Sequence, residues 1–230
     1  MKDVEFNFGE PEVHMTSVNE TLISIPISIY NHGYYRISSF NLTTQVSNKD
    51  GSTITQGSTF IPVIQRGTEI RATHNMTLDI GDLIENNQEY LFNDTELIVH
   101  EILGLELAGV IPVRVSTNLS VPWGAPLSNF RLGEIDYSVL NGSHLITSIP
   151  IGFENHAFFD LLGNIQIDMY NGSNILLGSG QATVQASQGS AYEGEVELTA
   201  PIVDLTENGH CEVHISNEFF DFGPLVVSYD

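Results

Sequence analysis

Cations are the scarcest ordinary component of this 230-residue sequence, with seven Lys plus Arg against 29 Asp plus Glu and a formal charge of -22. Soluble proteins are about a quarter charged with the signs near balance. At that usage 29 carboxylates is ordinary, so the acidity comes from missing cations and not from added acids. The acid-loaded surface of an extreme halophile is thereby excluded. A nucleic-acid partner is excluded too, because phosphate neutralisation needs a basic footprint. Anionic membrane surfaces are disfavoured by the same sign argument. Cysteine occurs once, at Cys211, which rules out an internal disulfide framework and a thiolate-rich zinc site. Long apolar runs are missing as well: residues 97–115 are broken by His100, Glu101, Glu106, Pro112 and Arg114. No signal peptide or transmembrane helix is therefore read within these residues. The opening Met1-Lys2-Asp3 runs straight into a predicted strand, and a natural anchor or leader upstream is the expectation.

What is present is a 41% apolar chain without low-complexity stretches, enough for packed cores and too apolar for disorder. Residues 6–35 align without a gap onto residues 130–159. Phe6, Gly9 and Glu10 meet Phe130, Gly133 and Glu134; Ser24-Ile25-Pro26-Ile27 meets Ser148-Ile149-Pro150-Ile151; Asn31-His32 meets Asn155-His156. Further on, Gly51, Gly57 and Gly67 find partners in Gly172, Gly178 and Gly189. Near the ends, Leu97-Ile98-Val99-His100 resembles Cys211-Glu212-Val213-His214, and Gly109-Val110-Ile111 resembles Gly223-Pro224-Leu225. So long a period indicates a duplicated domain and not a solenoid. The Pro- and Gly-rich stretch 122–128 is the boundary, giving domains 1–124 and 125–230.

Each copy reads as mostly β. Ile23, Ile25, Ile27 and Ile29 alternate with smaller polar residues, as in a half-buried strand. Pro26 inside that run predicts an edge strand or bulge, and Pro150 repeats the demand. Phe40, Leu42 and Thr44, then Ile165, Ile167 and Met169, and finally Cys211, Val213 and Ile215, carry the same period. Asp50-Gly51 and Asn171-Gly172 are hairpin turns. Residues 79–92 alone predict a helix, with Ile80, Leu83, Ile84 and Leu91 on one side; their counterpart at 203–209 has room for about one turn. The fold class is all-β: two tandem immunoglobulin- or fibronectin-III-like β-sandwiches, each with at most one short helix.

An apolar strand ending in Asn, an aromatic-rich strand, a Gly-centred hairpin, a second Gly and a polar-Gly-Ser/Thr turn follow in order. In the first copy these are residues 25–31, Phe40 and Leu42, Gly51, Gly57 and Gln65-Arg66-Gly67-Thr68. In the second they are residues 149–155, Ile165 and Ile167, Gly172, Gly178 and Gln188-Gly189-Ser190. This pattern resembles a tandem pair of water-stress-and-hypersensitive-response (WHy) domains of the late embryogenesis abundant (LEA) group 2 family. The sequence departs from the usual Asn-Pro-Asn of that family, reading Asn31-His32-Gly33 and Asn155-His156-Ala157. The resemblance implies a fibronectin-III-like sandwich with one helix, no catalytic site, and a desiccation- or stress-related role. Some relatives sit beside a membrane anchor outside the cytoplasm, and lipid binding has been proposed for a few.

Seven Asn-x-Ser/Thr sequons occur, at Asn19, Asn41, Asn75, Asn93, Asn118, Asn141 and Asn171. Chance placement of 18 Asn and 36 Ser plus Thr yields about three, so the excess points to an exported glycoprotein. The plainer reading makes Asn141-Gly142-Ser143 and Asn171-Gly172-Ser173 simple turns. His210, Glu212 and His214 project from one face of a strand and are a weak candidate metal site. Their spacing of roughly 7 Å is wide for one ion, and a solvated face is the alternative. His32 and His156 read as structural residues at strand ends, bonding loop carbonyls. Asn48-Lys49-Asp50-Gly51-Ser52 suggests part of a calcium loop but lacks the terminal bidentate Glu, so a hairpin explains it better. Cys211 lies on the apolar side of its strand as inert core. No phosphate loop, dinucleotide fingerprint, nucleophile elbow or Cys/His pair is present in the sequence, so neither catalysis nor a cofactor is expected. The leading expectation is an extracytoplasmic, membrane-tethered binding or stress-protective protein whose partner is an unknown protein or an apolar ligand. Membrane association would come only through an anchor outside this chain. The alternative is a carrier of lipid or another apolar ligand in a sandwich cavity, gated by the helix at 79–92. A metal hydrolase working from the His210 face is a distant third.

Overall fold

A computed structural model describes residues 4–16 and 20–229. The chain forms two compact units, Met1–Ile80 with Glu96–Pro122, and Gly81–Thr95 with Trp123–Asp230. The main division falls within two residues of the expected boundary, but fifteen residues from inside the first repeat pack with the second unit.

The first unit contains strands β1 (Val4–Phe8), β2 (Glu12–Met15), β3 (Glu20–Asn31), β4 (Ile37–Ser47), β5 (Thr53–Ile64), β6 (Glu69–Asp79), β7 (Thr95–Leu107) and β8 (Ile111–Trp123). In one sheet β3 is flanked by β6 on one side and by β1 and β2 on the other; the second sheet runs β5-β4-β7-β8. The second unit contains β9 (Ser128–Leu132), β10 (Asp136–Val139), β11 (His144–Glu154), β12 (Leu161–Asn171), β13 (Leu176–Ala186), β14 (Ala191–Pro201), β15 (Gly209–Asn217) and β16 (Asp221–Tyr229). There β11 is flanked by β14 and by β9 and β10, and the second sheet runs β13-β12-β15-β16. The topology of the first unit is thus repeated strand for strand, and both units are antiparallel β-sandwiches.

The expected alternation forms the cores. Ile27, Ile29, Phe40 and Leu42 pack in a buried cluster in the first unit, while Ile165, Ile167 and Met169 are fully enclosed in the second. Ile23 and Ile25 are only half-buried. Cys211, Val213 and Ile215 point inward as predicted. The edge strand β8 differs. Its alternating Ile111, Val115, Leu119 and Val121 are exposed by 44% to 58%, and its single charged residue is Arg114.

Pro26 and Pro150 correct the expectation of an edge strand or bulge. Both lie in the central strand of a sheet, opposite a break in the neighbouring edge. On that edge β1 pairs with residues 27–31 of β3 and β2 with residues 21–24, so Pro26 faces the Gly9–Pro11 gap between them. A residue's nitrogen and carbonyl point to the same side of a strand. The Pro26 carbonyl accepts the Gly9 N–H at 2.8 Å, so the missing proline N–H also faces the gap and costs no ladder bond. Gly133 N–H and the Pro150 carbonyl repeat this at 2.8 Å. An added Cβ would lie 3.1 Å from Pro26 Cβ at Gly9 and 2.9 Å from Pro150 Cβ at Gly133, so the proline ring occupies a side chain's place.

The single predicted helix is two short ones, α1 (Ile80–Asn86) and α2 (Glu89–Phe92). Asn87 causes the break: its N–H closes the first helix on the Ile84 carbonyl at 3.1 Å, and its Oδ1 accepts the Glu89 N–H at 3.1 Å to start the second. The counterpart in the second repeat is a single 3-10 turn, Ile202–Asp204. Tyr90 and Leu91 of α2 are buried in the second unit, where the only tryptophan, Trp123, donates its indole N–H to the Tyr90 carbonyl at 2.9 Å. Phe92 meets Phe130 and Phe222 edge-on.

A fully buried asparagine closes each of these central strands, Asn31 as the last residue of β3 and Asn155 immediately after β11. Asn31 donates Nδ2–H to the carbonyls of Tyr35 (2.9 Å) and Ile64 (3.2 Å), and its Oδ1 accepts the Gly33 N–H at 3.0 Å. Asn155 does the same with Phe159 (2.9 Å), Ala186 (3.0 Å) and the Ala157 N–H (3.0 Å). The following turns close on the same residues: Gly67, at φ +74°, donates to the Asn31 carbonyl, and Gly189, at φ +71°, to that of Asn155. Replacing Asn155 by Ala leaves two buried carbonyls and one N–H unpaired, and should cost about 3 kcal/mol. Urea denaturation of the variant, read as a midpoint shift at unchanged slope, measures that loss.

Candidate binding cleft in the second unit

The residues singled out from sequence do not converge. His210, Glu212 and His214 share the outer face of β15, as their spacing requires, opposite Tyr170, Asp168 and Gln166 of β12. The His210 ring lies flat on Tyr170, with centroids 4.9 Å apart, and its Nε2 is 3.9 Å from Glu212 Oε1. Among the described residues no group of three His, Cys, Asp or Glu side chains is placed to hold a metal ion. Asn48 spends its Oδ1 on the Ser52 N–H at 2.8 Å, closing the hairpin. Burial pushes the Cys211 thiol up to about 11, which keeps it protonated and unreactive at neutral pH.

The sequons divide by accessibility. Asn75, Asn93, Asn118 and Asn141 are exposed, Asn41 is half-buried, and Asn19 lies outside the described residues. Asn171 is buried, with its amide committed to the Asp204 carbonyl and to the N–H groups of Ser173 and Ile175.

The duplicated histidines have diverged, and neither side chain bonds loop carbonyls; the neighbouring asparagines do that. The His32 ring packs at a tilt against Tyr30, with centroids 3.8 Å apart. His156 bridges two carboxylates, Nδ1 to Asp94 Oδ2 at 2.8 Å and Nε2 to Glu154 Oε2 at 3.0 Å. Asp94 also accepts the Ala125 N–H at 2.8 Å, so the clamp ties the segment after α2 to the start of the second repeat. The Asp94 bond, then the Glu154 bond, hold the His156 imidazole above its ordinary 6.5. Burial would raise the Asp94 carboxyl, but the Ala125 N–H and His156 outweigh it and hold it below 3.8. In the first unit His74 is fully buried, with Nε2 3.0 Å from Thr44 Oγ1 and Nδ1 3.0 Å from Thr59 Oγ1, and burial lowers its pKa. By register the second unit has Val196, Met169 and Gly180 at these positions.

The concave feature that emerges was invisible in the sequence. A cleft of about 960 Å³ opens at the edge of the second sandwich where β9 breaks from β10, the gap that Pro150 faces. Gly133, Glu134 and Ile135 of the gap form one wall, and Leu132, Leu145 and Leu205 add apolar surface. Tyr137 and Tyr229 supply aromatic rings, and Glu134 and Glu207 supply carboxylates. Tyr229 donates its hydroxyl to the Tyr170 carbonyl at 2.8 Å. Burial, then Tyr137 and Cys211, push its phenol up to about 12; burial and Cys211 raise Tyr137 too, so both remain neutral. No residue from 79–92 lines this cleft. The gap residues Gly133 and Glu134 were visible as part of the repeat, but Leu205–Glu207 and Tyr229 come from far along the chain and carry no local signal.

No family model and no curated protein matches the chain. Among solved structures it is similar to red sea bream transglutaminase, at 11% identity over 99% of this chain and 31% of that one, with a TM-score of 0.33. A glycosyl hydrolase family 2 member from Bacteroides cellulosilyticus shares 8% identity over 92% of this chain and 28% of that one, at a TM-score of 0.37. A bacterial adhesin from Mobiluncus mulieris shares 11% identity over 93% of this chain and 81% of that one, at 0.35. The chain thus spans about a third of the first two structures. Likeness at these scores carries no inference about activity.

The three titrating groups pull stability in different directions with pH. His156, raised in the fold, contributes fully below pH 6.5, and the contribution is lost as pH rises through its folded pKa. Asp94, lowered, contributes above 3.8 and loses this as pH falls through its folded value. His74, lowered, contributes above 6.5, and stability declines as pH falls below that. Histidine NMR titration should place His156 above and His74 below 6.5, with Asp94→Asn returning His156 towards the ordinary value. Because the His156 clamp is partly solvated, its loss should cost under about 1 kcal/mol.

Proposed function

We propose that this chain is a non-catalytic, extracytoplasmic binding protein of the LEA group 2 type, tethered through an anchor outside these residues, that holds a small amphipathic ligand in the second-unit cleft. The cleft carries this reading: its volume of about 960 Å³ suits a drug-sized molecule, and its lining combines apolar and aromatic side chains with a few polar groups. The WHy-like spacing of strands and glycines supports the family assignment. Non-catalysis is supported by the high-pKa Cys211 thiol and by a His210 face that does not gather into a site. No helix among the described residues is long and apolar enough to cross a membrane. Exposed sequons at Asn75, Asn93, Asn118 and Asn141 support export.

Nile red, a neutral apolar dye, should brighten on titration with the protein and fail to do so with Leu205→Trp, which fills the cleft. Equal brightening by both proteins would remove the cleft reading. Expression in a glycosylating secretory host should give sugar at the exposed sequons and none at Asn171; an unmodified intact mass would remove glycosylation from the proposal.

A further inference from the structure

Cations are absent from the lining of the second-unit cleft. Its ionisable side chains are Glu134 and Glu207 together with two phenols, with no Lys, Arg or His. Neither glutamate forms an ion pair with a described residue. The scarcity of cations throughout the chain means that few side chains could neutralise them from elsewhere. The aromatic faces belong to Tyr137, on β10 at the mouth, and Tyr229, anchored at the end of β16 by its bond to the Tyr170 carbonyl. Tyr137 is specific to this copy: the register that pairs it with Thr147 pairs Val13 with Ile23 in the first unit.

Resting on the reading of this cleft as the ligand site, we propose that its ligand is an organic cation, an amine or quaternary ammonium joined to an apolar body. Phenol faces attract a cation through the ring quadrupole, and the two exposed carboxylates at the rim add a solvent-screened Coulombic attraction. The leucines and Ile135 receive the apolar body. A fatty acid or phosphate ester would place its anion against two carboxylates in a molecule of charge -22, and a neutral lipid would gain nothing from them.

The test compares phenyltrimethylammonium with tert-butylbenzene, its neutral carbon isostere, by ligand-observed NMR against the whole chain. The ammonium should bind about tenfold more tightly. The double variant Glu134→Gln/Glu207→Gln should erase that preference while leaving tert-butylbenzene binding and the thermal midpoint unchanged. Tyr137→Leu should weaken the ammonium about fivefold, the loss of one cation–π contact. Equal binding of the two probes, or an ammonium affinity untouched by the double glutamate variant, overturns the cation proposal and leaves the apolar cleft standing. Binding of neither probe, together with an unresponsive Nile red, overturns both.

Discussion

In each unit a strand has to stop, a loop has to turn, and two sheets have to be held together at one end, and a single buried side chain does all three. The Asn31 amide ends β3 by bonding a carbonyl in the loop that leads to β4, and it reaches the last carbonyl of β5 in the opposite sheet. The side-chain oxygen accepts the Gly33 N–H, and the main-chain carbonyl of Asn31 accepts that of Gly67 in the β5–β6 turn. No other side chain of that size offers two donors and an acceptor in a plane without charge. Aspartate would lack the donors, and leucine would leave three buried backbone groups unpaired. Asn155 repeats the arrangement bond for bond, and Gly189 takes the left-handed turn that Gly67 takes in the first copy. Two of the matches between the repeats, Asn31 with Asn155 and Gly67 with Gly189, serve this one knot of hydrogen bonds.

With the scaffold fixed, the interiors and surfaces were free to separate. One copy encloses His74 between two threonine hydroxyls, whereas the other fills the same place with Val196, Met169 and the bare backbone of Gly180. One duplicated histidine packs against a tyrosine and the other joins two carboxylates. On acidification the His156 clamp of the second unit reaches its full contribution by pH 6.5, and below that value protonation begins to disfavour the interior of the first unit.

The repeat, the strand alternation and the turns were legible in the sequence because each rests on local periodicity or on a backbone conformation that few residues accept. Pro26 showed that an N–H was missing but not which neighbour it would have faced. Only the pairing of β1 and β2 reveals that the neighbour stops there. Asn87 likewise marks the interruption of the helix only once its side chain is seen starting α2. The cleft was illegible for a different reason. Its lining gathers from four separated stretches of chain, and none of those residues is unusual for its own strand or loop. The His210, Glu212 and His214 spacing was legible as a shared face, yet a shared face on a flat strand is not a converging site.

The sheet edges of the first unit are treated unequally. The one facing Pro26 is cut into pieces of five and four residues, too short and too offset to recruit another chain along their length. Strand β8 is thirteen residues long, alternates apolar side chains, and carries no acid. At physiological salt the repulsion between two molecules of charge -22 is screened beyond about 8 Å. The repulsion therefore acts only at close approach, and there β8, with no carboxylate of its own, is the edge that the bulk acidity guards least.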